Sequence, residues 1–285
     1  MSAGDDALIE RPALRLPLSQ QTQVHLFTEG YMFSCPGIAP RETQRIAASL
    51  LIALTDQDFE LEVAGQRTRH GMVAIRPQVA HRLHACEVPV MLFDLDPRHL
   101  EYRRFLGIAN PGVQAFARER FAGFAEEMLA FHAGNLTSVE SQRLFRRAVN
   151  LAVTPLPAPP DLDPRVQQAK TLLDREPTHS IDDVAQSVGL SRDRLSTLFS
   201  SELGITLRLY AQSMKINAAV TFHGKGMTLT EIAAAAGFAD SAHFSKVWSQ
   251  TYGSPPGNFF SSACVTVNRT RTGRGVSAGR PVEPR

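Results

Sequence analysis

The chain has 285 residues, 43% of them hydrophobic, and a formal net charge of +2. That length has room for two domains, the apolar share is ordinary for a globular protein, and the charge argues neither for nor against nucleic acid. The longest apolar run, Ile46–Leu54, is far too short to span a bilayer, the acidic start MSAGDDALIERPAL lacks the apolar segment of a signal peptide, and the widely spaced Cys35, Cys86 and Cys264 make neither a disulfide framework nor a zinc spacing, so a cytoplasmic protein without a membrane partner is expected.

Residues 1–20 show no period and read as a mobile arm. From Gln21 to Asp96 the pattern is β. Phe59, Leu61 and Val63 alternate with Glu60 and Glu62, which predicts a half-buried strand ending in a turn at Ala64-Gly65. Ile46–Leu54, Met72–Ile75 and Val88–Leu95 read as buried strands. Short strands punctuated by glycine and proline predict a small sandwich or barrel. The run GMVAIRPQVAHRLHA resembles the turn and following strand of cupin-like sensor domains. Metal is not expected there. His81 and His84 lie three apart and so point to opposite faces of a strand, whereas the cupin motif spaces its histidines differently. With His25 and His70 they remain candidates for an effector pocket.

From Pro97 the pattern turns helical. Val113–His132, with Phe116, Phe121, Phe124, Met128 and Phe131, and Thr137–Val153, with Val139, Leu144, Phe145, Ala148 and Val149, predict two amphipathic helices joined at Gly134-Asn135. They pack on their own barrel or form a dimer face; a helical period does not say which. Thr154–Pro164, TPLPAPPDLDP, is the clearest linker, a stiff spacer expected to hold two domains apart and to be cut first by proteases.

The C-terminal half repeats itself. SIDDVAQSVGLSRDRLSTLFSSELG (Ser180–Gly204) lies beside TLTEIAAAAGFADSAHFSKVWSQTYG (Thr228–Gly253). Each copy opens with a capping-box spacing, Ser180 to Asp183 and Thr228 to Glu231. Ala185 matches Ala233, and Gly189 matches Gly237, each ending a first helix. Leu195 then matches Phe244, Phe199 matches Trp248 and Gly204 matches Gly253. In the second copy Asp240 can cap a helix whose inner face is Phe244, Val247 and Trp248, which Gly253 ends and Pro255-Pro256 keep ended. Two helices braced across a glycine turn, the second with a small polar outer face, suit major-groove reading. Thr206–His223 reads as one connecting helix of roughly 27 Å.

These residues carry a family resemblance. Ala185, Gly189, Leu195 and Phe199, then Tyr210, Lys215, Ile216 and Ala219, then the run GFADSAHFSKVW with Gly253 and Pro255, resemble the DNA-binding domain of the AraC/XylS transcription regulators over Arg165–Phe260. The family usually has arginine where Lys215 stands and a tyrosine-arginine pair where Phe259-Phe260 stands. The resemblance implies an α+β multidomain chain: a cupin-like β-barrel or sandwich with a helical hairpin over residues 21–153, a linker over 154–164, an all-α domain with two helix-turn-helix motifs over 165–260, and a basic tail over 261–285 that reads as disordered.

It also implies the site. In the first recognition helix Leu195, Leu198 and Phe199 face inward, leaving Arg192, Asp193, Ser196, Thr197 and Ser200 outward with Arg194 at the flank. The second offers Ser241, Ala242, Ser245 and Lys246. Lys246 can reach guanine acceptors or a phosphate; Asp193 either accepts from a cytosine amine or caps its helix. Charge is an obstacle: Asp161–Phe260 has nine Lys and Arg against ten Asp and Glu, and Ser261–Arg285 five Arg against one Glu. A reading face is expected to be basic, so Arg192, Arg194, Arg208, Lys215, Lys225 and Lys246 must gather on one side. The expected protein is a transcription regulator and no enzyme, with no cofactor. Its expected partners are double-stranded DNA, a small-molecule effector, RNA polymerase and a second copy of itself. A metal-dependent cupin enzyme with a helical appendage is the alternative of another class, and a regulator controlled by dimerisation or a protein partner, without any small ligand, is the third reading.

Overall fold

The computed structural model describes residues 22–252 and 255–260, and the backbone alone of residues 265–267. The arm expected over residues 1–20 lies outside the described residues. Strands come first: β1 (Gln23–Phe27), β2 (Gly30–Cys35), β3 (Ile38–Thr43), β4 (Ala48–Ala53), β5 (Phe59–Val63), β6 (Gln66–His70), β7 (Met72–Ile75), β8 (His81–Ala85) and β9 (Val90–Leu95). Then come α1 (Tyr102–Phe105), β10 (Val113–Ala115), a 3-10 helix over Arg118–Phe124, α2 (Ala125–His132) and α3 (Ser138–Val153). The rest is helical, with α4 (Pro164–Arg175), α5 (Ile181–Ser187), α6 (Arg192–Leu203), α7 (Leu207–Val220), α8 (Leu229–Ala235), α9 (Ser241–Tyr252) and α10 (Pro256–Phe260), before a last strand, β11 (Val265–Val267).

Two sheets face each other, the larger in the order β10-β7-β4-β9-β2-β1-β11 and the smaller β3-β8-β5-β6. β4 (ASLLIA) and β9 (VMLFDL) are buried at every position because the larger sheet is covered on both faces. Side chains alternate along a strand, so Leu50, Ile52, Met91 and Phe93 enter a core shared with α2 and α3. Leu51, Ala53, Val90 and Leu92 enter the core between the sheets, with Phe59, Leu61 and Leu83. The turn between β5 and β6 is the expected Ala64-Gly65, both with positive φ, 50° and 77°, the two-residue geometry that matches strand twist.

The helical hairpin packs on its own sheet. Thr137 and Glu140 form a reciprocal capping box at the start of α3, and Leu144, Phe145, Ala148 and Val149 join the sheet's core. Val139, expected on that inner face, is 54% exposed. The helix expected over Val113–His132 begins only at Ala125. Val113–Ala115 instead pairs with β7 as the sheet's edge strand. Arg118 anchors the start of the 3-10 helix by donating to Gln57 O at 2.8 Å and Asp58 Oδ1 at 2.6 Å. An open sheet edge and a distant carboxylate override the helical period here.

The proline-rich segment does not act as a spacer. Leu156 is buried in the core beneath α3, and Arg103 of α1 donates from Nη1 to Pro160 O at 2.7 Å and from Nε to Glu202 O at 3.1 Å. Asp163 N donates to Glu202 Oε2 at 2.9 Å. The expected distance between the halves is therefore absent; the segment is pinned along a closed interface. Lys170 of α4, buried, reaches Pro97 O at 3.3 Å, and Asn217 of α7 donates to Asp96 Oδ2 at 2.6 Å. A Cβ on Gly204 would stand 2.7 Å from Leu106 Cδ2.

The helical half has two cores. The first, around Leu195, Phe199, Leu203 and Tyr210, draws only on residues 162–214. The second, around Ile232, Phe244, Val247 and Trp248, includes Leu26 of β1, 6% exposed, with Val24 and Tyr31 packed against it. Pro255-Pro256, expected only to stop α9, also start α10, which brings Phe259 and Phe260 onto Trp248 at ring separations of 4.9 and 5.0 Å. Residues 265–267, in the tail read as disordered, form β11 parallel to β1, because β1 is a sheet edge with unpaired backbone groups; the other tail residues lie outside the described residues.

Two substitutions test this interface. Arg103→Ala should speed protease nicking within residues 157–161 with helix content unchanged; an unaltered cutting rate would mean that the prolines alone hold the segment. Leu26→Ala should cost ~2–5 kcal/mol and shift the emission of Trp248, the single tryptophan, although the two residues belong to different halves. An unchanged melting curve and emission maximum would show that the second core closes without β1.

Candidate nucleic-acid interface

Local chemistry builds the twin units. Ser180 Oγ accepts from Asp183 N at 3.1 Å and caps α5; Thr228 and Glu231 form a full capping box on α8. Gly189 and Gly237 come next, with φ of 69° and 78°, the left-handed conformation that turns the chain without steric cost. The second helix of each unit is capped in turn. Ser191 Oγ accepts from Arg194 N at 3.3 Å at the start of α6, and Asp240 Oδ1 accepts from His243 N at 2.7 Å at the start of α9. Asp193 is thus not the cap of α6; it stands in the first turn, where the helix dipole favours an acid.

Packing fixes which faces turn out. Leu195 and Phe199 are fully buried and Leu198 is half-buried, so Arg192, Asp193, Arg194 and Thr197 are exposed, with Ser196 and Ser200 at the border. Ser200 turns its hydroxyl back to Ser196 O at 2.8 Å. On α9, Phe244, Val247 and Trp248 are buried, Ala242 and Lys246 exposed, and Ser241 and Ser245 intermediate.

The cations do not all gather as expected. Lys215 donates to Gly237 O at 2.7 Å and braces the turn of the second unit. Lys225 lies over the Phe222 ring at 4.9 Å. Arg192 stands 3.5 Å from Asp182 in an exposed pair. Among the described residues Arg194, Arg208 and Lys246 have no ion-pair partner. α7, which links the units, has 14 residues where eighteen were expected, hence spans about 21 Å; Thr206 caps it, and the chain turns at Thr221.

The four histidines do not converge. His25 packs its ring edge-on to Phe131 at 4.9 Å. His70 lies beside Thr68 Oγ1 at 2.7 Å, His84 beside Glu62 Oε2 at 3.3 Å, and His81 between Thr43 Oγ1 and Val79 O at 3.0 and 2.9 Å. Burial lowers the pKa of His25, His70 and His81, which favours the neutral ring. Among the described residues no three His, Cys, Asp or Glu side chains are grouped to hold a metal.

Two clefts lie between the halves, and none of these histidines is among their described lining residues. One, ≈ 570 Å³, separates β1 and β2 from α7 and holds Asp94, Asp96, Asn217 and Tyr252. The other, ≈ 500 Å³, separates residues 41–46 from α7 and α9 and holds Lys246. Beneath them Asp94, 1% exposed, faces Ser49 and Tyr31 across neighbouring strands. Ser49 donates to one of its oxygens, and Arg45 Nη1 reaches Asp94 Oδ2 and Tyr31 Oη at 2.9 Å each. Burial works against the Arg45 charge, but Tyr31 and Asp94 outweigh it and raise its pKa. Sequence reasoning missed this group, although an aspartate inside the apolar run VMLFDL is a signal that a buried partner exists.

Comparison with known proteins agrees with this geometry. The helix-turn-helix domain family matches residues 184–262. The arabinose operon regulatory protein of Escherichia coli (strain K12) is 30% identical over 113 residues, which are 38% of this chain and 39% of that protein, so the likeness spans well under half of the relative. In fold, the chain is similar to ToxT from Vibrio cholerae O395, with a TM-score of 0.53 and 13% identity over 80% of this chain and 95% of that one. It is likewise similar to unsaturated fatty acid bound wild-type ToxT from Vibrio cholerae strain SCE256, with a TM-score of 0.51 and 12% identity over 80% and 93%. The helix-turn-helix match runs from within α5 to beyond α10 and so takes in the recognised stretch of both units.

Proposed function

We propose that the chain is a sequence-specific DNA-binding regulator. Residues 165–260 read DNA, and residues 21–153 sense a small effector or pair with a second copy. The observation that carries this reading is the repetition of one exposed, capped helix, α6 and α9, on two separate cores joined by a single helix. In an enzyme the pair of outward helices would have no purpose. An unsaturated fatty acid bound form is described for ToxT, a chain of similar fold, which supports small-ligand sensing as the role of the N-terminal half. RNA polymerase and a homodimer partner belong to the same reading.

On α6 the contacts fall to Arg192, Asp193, Arg194, Ser196, Thr197 and Ser200. On α9 they fall to Ser241, Ala242, Ser245 and Lys246. The two sets differ at every outward position, so one protomer reads two unequal half-sites. The shorter span of α7 calls for DNA bent toward the protein, since neighbouring major-groove segments lie ~34 Å apart.

Selection of random duplexes by the full chain should return an asymmetric site with two adjacent major-groove segments. Lys246→Ala should weaken binding. If the lysine reads a base, it relaxes one position by ~1–3 kcal/mol; if it meets only phosphate, affinity falls evenly and the salt slope drops by about one. Failure to enrich any sequence, or a strict palindrome read by one unit from each of two chains, would overturn this reading.

A further inference from the structure

β1 carries the second helix-turn-helix unit on one face and a strand from the C-terminal tail on its outer edge. β2 pairs with its inner edge, antiparallel, and the backbone of β11 pairs with the outer one, parallel. The two faces of β1 serve different parts of the molecule. Val24 and Leu26 pack with the core of the second unit, whereas His25, on the opposite face, packs against Phe131 of α2. β1 is thus the strand of the β half on which the second unit rests. β11 lies along it in the register Val24 with Val265, His25 with Thr266 and Leu26 with Val267.

The chain that supplies β11 comes from the second unit itself. α10 places Phe259 and Phe260 on Trp248, and only four residues, 261–264, separate Phe260 from Val265. That connection reaches no more than about 18 Å at full extension, so the unit packed on the face of β1 also delivers the strand to its edge. The short reach points to pairing within one chain. A Val-Thr-Val run is β-branched throughout, which suits a strand, but a ladder of three residues is too short to stand alone. It persists because the unit beside it is docked, and it holds that unit docked in return. The second core needs such support. Among the described residues Trp248 Nε1 and His223 Nε2, both on rings packed against Phe259, are buried without a hydrogen-bond partner, and a buried polar atom left unpaired is costly. The first core has no such side-chain atom among the described residues.

We infer that β11 is a latch that ties the second helix-turn-helix unit to the β half, and that its release lets this unit pivot about the end of α7. Resting on the DNA-binding reading above, the latch restrains DNA binding. α7, with 14 residues, spans about 21 Å against ~34 Å between neighbouring major-groove segments. A unit free to pivot therefore meets a less bent duplex than a unit held on β1.

The test compares the full chain with the variant Val265→Pro, Thr266→Pro. Alternate backbone N–H groups of a strand point to the same side, so two adjacent prolines remove a ladder donor whichever side faces β1. The charge of the tail is kept. Amide hydrogen exchange should quicken about tenfold in β1, α8 and α9, with β4, α5 and α6 unchanged, and a chain ending at Phe260 should show the same pattern. Affinity for the selected duplex should rise about threefold or more in the proline variant, because apparent affinity follows the fraction in the binding-competent arrangement. Unchanged exchange in β1 overturns the strand pairing. Faster exchange in β1 alone overturns the latch, and so does a loss of protection that spreads to β4 and α6, since a latch acts on one unit. Protection of β1 in the full chain that is lost on dilution means that the strand comes from a second copy, which overturns pairing within one chain. Duplex binding that is unchanged or weaker in the proline variant overturns the restraint on DNA. If no duplex can be selected, the DNA-binding reading fails while the exchange pattern still decides the latch.

Discussion

The structure turns on α7, a single helix that must satisfy three surfaces at once. Leu207, Tyr210 and Met214 belong to the first helix-turn-helix core; Ile216, Ala219 and Val220 belong to the second. The side left over carries Ser213 and Asn217, and it faces the sheet domain across the larger cleft. A helix of 14 residues gives each of its sides few positions, so a polar residue on either core side would cost a buried contact. The Asn217–Asp96 bond then fixes the helix's rotation relative to the β half, because a bond of 2.6 Å tolerates little turning about the axis.

The same interface manages a buried charge. Asp94 sits in the middle strand of the row β4-β9-β2, with Ser49 and Tyr31 as its cross-strand neighbours. An aspartate at that depth is tolerable only when paired and hydrogen-bonded, and Arg45 and Ser49 meet that need. Replacing the group with apolar residues could serve stability as well or better, so its presence is better explained by position than by stability. It places a guanidinium at the seam, where the two halves meet. Tyr31 ties it further in, as its ring packs edge-on to Tyr252 of α9 at 5.5 Å.

What could be read from the sequence was what local chemistry decides. Capping residues such as Thr228 with Glu231, and left-handed turns such as Gly189 and Gly237, act within a few residues of themselves, so the twin units were legible. So were β4, β7 and β9, whose apolar runs need burial whatever covers them. What depended on a distant partner was not legible. β6, QRTRH, is a polar sheet edge with no apolar alternation to mark it. β10 and β11 are strands only because β7 and β1 offer open edges. Lys215 and Lys170 counted as surface charge in the sequence, yet the fold spends them on carbonyl oxygens of Gly237 and Pro97. The C-terminal half therefore has fewer uncommitted cations than a tally of its sequence suggests.

The closed interface also constrains how a signal could pass. A ligand shifts an equilibrium only by its differential affinity for two states. A ligand confined to one half would therefore need to alter contacts that the other half feels. The contacts available are few and unequal. The first helix-turn-helix unit has a core of its own and meets the β half through polar contacts at Lys170, Glu202 and the linker and through the close approach of Gly204 to Leu106. The second shares its core with Leu26 and its aromatic edge with Tyr31. Loosening the interface would leave the first unit's packing intact and expose apolar surface in the second. The two units are thus coupled unequally to the β half: the first keeps a core of its own, while the second, with Lys246, shares its core with β1.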